Sequence, residues 1–212
     1  MKRSIVVTGD GSKTIQLEEW GEQYHSIHGA LQEALHVFIL NTKKNLKGRK
    51  EIWILEMGFG TGLNALLTWK MAEELKLKVH YVTLEAFPVS SDEYKVLGYD
   101  EVWAENTEAF SLIHEAPWES PVVLSPFFEL VKKKQRFEDL AGLKGAFDFV
   151  FYDSFGPRVQ PELWTLALFK QVYALCRESA TFLTYCAKGQ VRRDLASAGF
   201  FMTKLPLSLI HI

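Results

Sequence analysis

Residues 52–67 read Ile-Trp-Ile-Leu-Glu-Met-Gly-Phe-Gly-Thr-Gly-Leu-Asn-Ala-Leu-Leu. A run of β-formers ends in an acid, Glu56, crosses three alternating glycines and turns into a helix-like apolar pattern. Glycine reaches positive φ and lets another backbone approach closely, so Gly58, Gly60 and Gly62 suit a tight strand-to-helix turn beneath a ligand. A nucleotide-type cofactor above this turn is the expectation. The spacing excludes two alternatives: no Gly-Lys-Ser/Thr ending follows, as a phosphate loop needs, and glycines two apart do not give Gly-x-Gly-x-x-Gly.

The rest of the chain alternates strands and helices around this turn. Residues 5–17 read as a hairpin with Gly9-Asp10-Gly11-Ser12 at its tip, and apolar spacing predicts a helix over 31–40 before a polar connection over 41–50. A strand over 51–56, a helix over 63–76 and a strand over 79–84 form a strand-helix-strand unit, hence a parallel pair with a right-handed crossover. That second strand ends at Glu85, where an acid can accept hydrogen bonds from a ribose.

Residues 90–114 carry helical patches broken near Gly98. Residues 117–126, with three prolines, read as irregular, 127–134 as a strand and 136–143 as a short helix. The near-continuous apolar run at 147–152 suits a central parallel strand, and it leads directly into Asp153. A helix over 163–177, a strand over 180–186, a helix over 190–198 closed by Gly199, and a last strand from Phe200 to Leu205 complete the pattern. The expected fold is α/β with a doubly wound, mostly parallel sheet and a small N-terminal β-hairpin extension. It is read as one domain over 1–212, with the extension over 1–50 and the core over 51–212.

A formal net charge of -2 means that any nucleic-acid footprint must be local. Cys176 and Cys186 form neither a disulfide framework nor a metal cluster, and each reads as a small buried hydrophobe. His28, His36, His80, His114 and His211 lack metal-ligand spacing, so no metal is expected. With too short an apolar run at the N-terminus for a signal peptide and no stretch of membrane-spanning length, a cytoplasmic protein without membrane contact is expected. Nothing in the sequence speaks to oligomeric state.

Ligands in such sheets collect at the carboxyl ends of strands, which here carry the glycine turn, Glu85 and Asp153. The stretch Asp153-Ser154-Phe155-Gly156-Pro157 could be a capped turn before a proline-initiated helix. Alternatively, Asp153 faces both a donor and an acceptor nitrogen, holding an amine and accepting its proton, while Phe155 stacks on a flat base. Lys188, Arg192 and Arg193 follow a strand end; they are either solvated charge or phosphate contacts, helped by Lys204 or by Lys132, Lys133 and Lys134.

Glu-x-Gly-x-Gly-x-Gly at 56–62 resembles the turn of Rossmann-like S-adenosylmethionine-dependent methyltransferases. Four ordered stretches narrow the likeness: Tyr24-His25-Ser26-x-x-Gly29-Ala30 with Val37-Phe38, the turn itself through Asn64, residues 153–164, and residues 184–193. Together they resemble the methyltransferase domain of the bacterial tRNA 5-methylaminomethyl-2-thiouridine biosynthesis protein family, from about Leu17 to Leu205. The resemblance implies methyl transfer from S-adenosylmethionine to the aminomethyl nitrogen of 5-aminomethyl(-2-thio)uridine at the tRNA wobble position. It implies a cofactor site at Glu56, Met57, Gly58, Gly60, Gly62, Asn64, Glu85, Ala86, Asp153 and Tyr24. It further implies catalytic roles for Asp153 and Phe155, and tRNA contacts from His25, Phe155, Lys188, Arg192 and Arg193.

Fused relatives carry a flavin-dependent oxidase domain that frees the amine. A chain of 212 residues is too short for one, so a stand-alone enzyme served by other aminomethyl-forming modification enzymes is expected. Two stretches depart from the family: its Gly-Asp pair near the adenine is replaced by Lys134-Gln135-Arg136-Phe137-Glu138-Asp139, and its Pro-Gly-rich closing loop is missing from the C-terminal stretch. Two rival functions share the fold: methylation of a small-molecule amine, and an inactive interaction module.

Overall fold

The computed structural model describes residues 2–203 apart from 141 and 144. Its principal element is a six-stranded sheet of β4 (Glu51–Met57), β5 (Lys78–Leu84), β6 (Pro121–Ser125), β7 (Phe128–Lys133), β8 (Phe147–Tyr152) and β9 (Cys176–Leu183). The strand order is β6-β7-β5-β4-β8-β9, and every pair is parallel except β6 with β7. β4 is central: Leu55 lies between Val82 of β5 and Val150 of β8. All six residues of β8 are buried, as its unbroken apolar run requires of a strand covered on both faces.

Helices cover both faces. On one side lie α1 (Ala30–Ala34), α3 (Leu63–Leu75), α4 (Ser91–Lys95) and α5 (Ala109–Glu115), whose buried apolar residues share a core with Ile54, Tyr81 and Phe151, and α2 (Leu40–Lys44) continues α1. On the other, α6 (Leu166–Ala174) and α7 (Gly189–Ala198) pack over Leu55, Val150 and Tyr152. The helix α3 is buried nearly all round, from Leu63 to Trp69, because α1 and α5 cover what a single sheet would leave wet. A π-turn over Leu35–Ile39 joins α1 to α2, so the helical run extends past the predicted 31–40 to Lys44. The Asn41 amide donates to the carbonyls of His36 (2.6 Å) and Val37 (3.1 Å) at this turn, satisfying acceptors that the irregular winding releases.

The predicted hairpin is present as β1 (Arg3–Val7) and β2 (Lys13–Leu17), and a short β3 (Glu22–Gln23) makes it a three-stranded antiparallel sheet. Three stretches differ from the sequence reading. The proline-containing segment 117–126 is not irregular throughout, because Pro121 opens edge strand β6, where its missing N–H removes no ladder bond. Residues 136–140 form a turn rather than a helix, burying Phe137 and Leu140 under the sheet. The helix expected to reach Arg177 ends at Ala174, and β9 starts at Cys176; Arg177 is drawn into the sheet by its bond to Asp148 (2.9 Å). Phe200 to Thr203 carry no strand, and the remainder of that predicted element, with Lys204, lies outside the described residues.

Candidate active site

At the carboxyl ends of β4, β5 and β8 the backbone encloses a cavity of about 880 Å³. Its floor is the glycine turn. Gly58, at φ 112°, lies against the chain leaving β8, so a β-carbon there would overlap the Asp153 carbonyl oxygen. Gly60, at φ 51°, lies under the Tyr24 ring, 3.0 Å from where its β-carbon would stand. The Gly60 N–H donates to Glu85 Oε2 (3.0 Å) and the Phe87 N–H to Glu85 Oε1 (2.9 Å), which fixes this carboxylate beside the turn.

Behind the turn the chain is braced. Gly62 leaves room for His114, whose Nε2 donates to the Thr61 carbonyl (3.0 Å), and burial pushes its imidazole down to about 4. Lys132 donates to the His114 carbonyl (2.6 Å) and lies over the Trp118 and Phe59 rings. With 1% exposure, Lys132 is an internal strut, which corrects its reading as a possible phosphate contact.

The opposite wall carries the buried titratable groups. Asp153 leaves β8 with its N–H on the Met57 carbonyl (3.0 Å), and its Oδ2 accepts from the Asn64 amide (2.8 Å). Burial, then the negative field of Glu33, raise its carboxyl to about 7 against the opposing Asn64 bond. Glu56, fully buried behind it, accepts from Thr83 Oγ1 (2.7 Å) and is raised by burial to about 8, so it is mainly neutral at pH 7. His25 bonds Thr14 through Nδ1 (2.9 Å) and Thr61 through Nε2 (3.4 Å), and burial lowers it to about 4. The Phe155 ring meets Trp20 and Tyr24 edge-to-face at 5.7 and 5.0 Å, and the Tyr185 hydroxyl donates to the Ser154 carbonyl (2.8 Å).

Of the residues singled out from sequence, Tyr24, His25, Gly58, Gly60, Glu85, Ala86, Asp153 and Phe155 line this cavity. Glu56, Met57 and Asn64 are buried behind the turn and Gly62 faces His114, so these four support the cavity instead of lining it. Arg192 borders an adjoining cleft, and Lys188 and Arg193 are exposed at the start of α7, away from the cavity. Sequence reasoning missed Arg3, Trp20 and Glu33 as lining residues and left Tyr185 as one member of a motif. Arg136, Phe137 and Glu138 also line the cavity, in the stretch that replaces the family's Gly-Asp pair.

Residues 130–207 match a family model described as S-adenosyl-L-methionine-dependent methyltransferase. Over 94% of its length the chain superposes on a crystal structure of MNMC2 from Aquifex aeolicus, with a TM-score of 0.75, 28% identity and 65% of that chain covered. The chain belongs to the S-adenosyl-L-methionine-dependent methyltransferases. This methyltransferase is also similar to tRNA 5-methylaminomethyl-2-thiouridine biosynthesis bifunctional proteins. It is 34% identical to that of Aromatoleum aromaticum over 88% of the chain and 31% of the relative. With the Pseudomonas entomophila protein the identity is 31% over 89% and 31%, and with that of Leptospira interrogans 27% over 95% and 33%. The methyltransferase thus spans about a third of the length of these curated relatives.

The cavity fits the cofactor. Its volume accommodates a nucleoside-sized ligand, and the side-chain-free floor at Gly58 and Gly60 permits close backbone approach. Glu85 presents a fixed carboxylate of the kind that pairs with ribose hydroxyls.

Proposed function

We propose that this methyltransferase methylates the primary amine of 5-aminomethyl(-2-thio)uridine at the tRNA wobble position, giving the 5-methylaminomethyl base. The observation that carries the reading is Asp153: a carboxylate with proton affinity near neutrality, in a cavity shared with the rings of Trp20, Tyr24, Phe155 and Tyr185. Aromatic faces attract cations, and a carboxylate whose pKa matches the working pH is suited to exchanging a proton with an amine. The names of the relatives supply the product, a tRNA uridine bearing a methylaminomethyl group, and hence an acceptor bearing the aminomethyl group.

When bound, S-adenosylmethionine supplies a methyl group on a positively charged sulfur, an electrophile for a neutral amine. The Gly58 and Gly60 backbone and Glu85 hold that cofactor, with Tyr24 and Ala86 along its wall. Glu56 and Asn64 act indirectly, Asn64 by orienting the Asp153 carboxylate. Asp153 accepts a proton from the substrate ammonium, leaving a lone pair on nitrogen, and Phe155 packs on the uracil ring. Lys188, Arg192 and Arg193 contact tRNA phosphates. The partners are tRNA and the enzymes that install the aminomethyl group, in the cytoplasm. Among the described residues no helix is long and apolar enough to cross a membrane.

The test is incubation with labelled donor and tRNA either carrying or lacking the aminomethyl group. Labelling restricted to the aminomethyl tRNA is expected; equal labelling of both, or of neither, rejects the reading. Calorimetry with S-adenosylmethionine, in which binding is expected, separates an enzyme from an interaction module.

A further inference from the structure

Glu33 projects from the first turn of α1 into the same cavity as Asp153, and it also borders the adjoining cleft of about 600 Å³. The two spaces meet at Ser26, Glu33 and Tyr185. The Ser26 N–H donates to Glu33 Oε2 (2.8 Å), which orients the carboxylate, and the Glu33 backbone N–H joins the first turn of α1 through the Gly29 carbonyl (3.1 Å). No part of the mechanism above uses it.

We propose that Glu33 is the binding carboxylate for the substrate ammonium, working with Asp153 as the proton-accepting one. The proposal rests on the reading of the acceptor as an amine and divides a task that one acid performs poorly. A carboxylate that takes the proton loses its own charge and with it the ion pair that held the cation. A second carboxylate keeps the amine in place through that transfer. The balance is simple: R–NH3+ and Asp153–COO− become R–NH2 and Asp153–COOH, and the charge on Glu33 is unchanged throughout.

Arg3, Glu22, Glu85, Arg136, Glu138 and Glu162 also line the cavity, but among the described residues Glu33 is the charge that raises Asp153. From β4, Glu56 is held mainly neutral at pH 7 by burial; from β5, Tyr81 is raised well above its usual range. Tyr185, after β9, is raised likewise, and His25, before α1, is neutral at its lowered value. After burial itself, Glu33 is the largest influence raising Asp153, and it acts on Tyr185 as well. Two acids in one site then give cation selectivity: a uridine bearing a neutral or anionic substituent meets the same walls without the attraction.

The test compares anticodon stem-loops carrying aminomethyluridine or plain uridine, using the wild type, Glu33→Gln and Glu33→Asp. Without cofactor, Glu33→Gln is expected to weaken binding of the aminomethyl stem-loop by about tenfold, the scale of one charge-assisted hydrogen bond, and to leave the plain one within about twofold. In kcat/KM it should move the acid limb, set by Asp153, down by about one pH unit, since a like charge has gone. Glu33→Asp, which keeps the charge, should restore most of both effects and serves alone if the amide variant fails to fold. Equal loss for both stem-loops, or an unmoved acid limb in an active variant, overturns the role of Glu33. A wild type indifferent to the aminomethyl group rejects the amine reading itself, so the two failures are told apart.

Discussion

β8 is bracketed by two aspartates, and they do opposite things. Asp148, near its start, is 2% exposed and accepts from the Trp53 N–H (2.9 Å) and from Arg177 Nη1 (2.9 Å), with Arg49 at 3.6 Å. Around it Arg177 lies over Trp53, which stacks on His80, itself held between Glu51 (2.8 Å) and Glu129 (2.6 Å). Asp153, just past the end of the strand, accepts from one neutral amide, Asn64, among the described residues, and faces other acids. A saturated carboxylate ties strands together. One that burial and like charge leave short of partners stays available to a proton. Position along one strand thus separates a saturated carboxylate from one whose proton affinity is raised.

The contrast can be broken from either side. The largest effect is expected for Asp153→Ala: turnover falls by roughly 10²-fold or more, the scale of a positioned base, while calorimetric affinity for S-adenosylmethionine stays within a few fold. Near-normal turnover would remove Asp153 from the chemistry. Asp148→Ala should do the reverse. Leaving Arg177 and Arg49 without their shared partner costs about 2 kcal/mol in denaturant unfolding, and turnover per folded molecule holds. A fall in turnover at unchanged stability would show that the two acids are not separated as described.

Next in size is pH. In the proposed role Asp153 acts ionised, so kcat/KM should rise about tenfold per pH unit below 7 and level off above it, in the wild type and in the Asp148 variant alike. The smallest effect concerns Glu56. Its folded value, about 8, exceeds its unfolded one, so the folded state holds the proton more tightly. The stability it contributes is whole below about pH 4.5, declines as pH rises, and is lost above about 8. Glu56→Gln, permanently neutral, should therefore gain on the wild type between pH 6 and pH 8 in parallel thermal melts; parallel curves would reject the raised value.

The glycine floor of the cavity was legible because its requirement is written locally. Glycines at 58 and 60 and an acid at 85 state a backbone geometry and a strand end, both short-range features. The opposite wall was legible only where a motif surrounded it, as with Asp153 and Phe155. Trp20 and Glu33 look like an ordinary turn aromatic and an ordinary helix acid until the N-terminal sheet and α1 are folded over the cavity. Lys132 misled because three adjacent lysines read as solvated charge, whereas strand alternation sends the middle of 131–133 inward, under Trp118. The prolines of 117–126 misled in the other direction, since an edge strand tolerates what a central one does not.

The strand order has a consequence for how this protein comes into being. β4 pairs with β5 almost at once in the chain, but its other neighbour is β8, and the cavity floor joins Gly58 to Asp153 across that seam. A growing polypeptide that has emerged only as far as β7 therefore carries a half-sheet whose β4 edge, with Ile54 and Leu55, has nothing to pair with. That apolar edge is a template for wrong partners until β8 arrives. Translation pauses between β7 and β8 would lengthen this exposed interval, making that stretch of message the one where synonymous changes bear hardest on the yield of active enzyme.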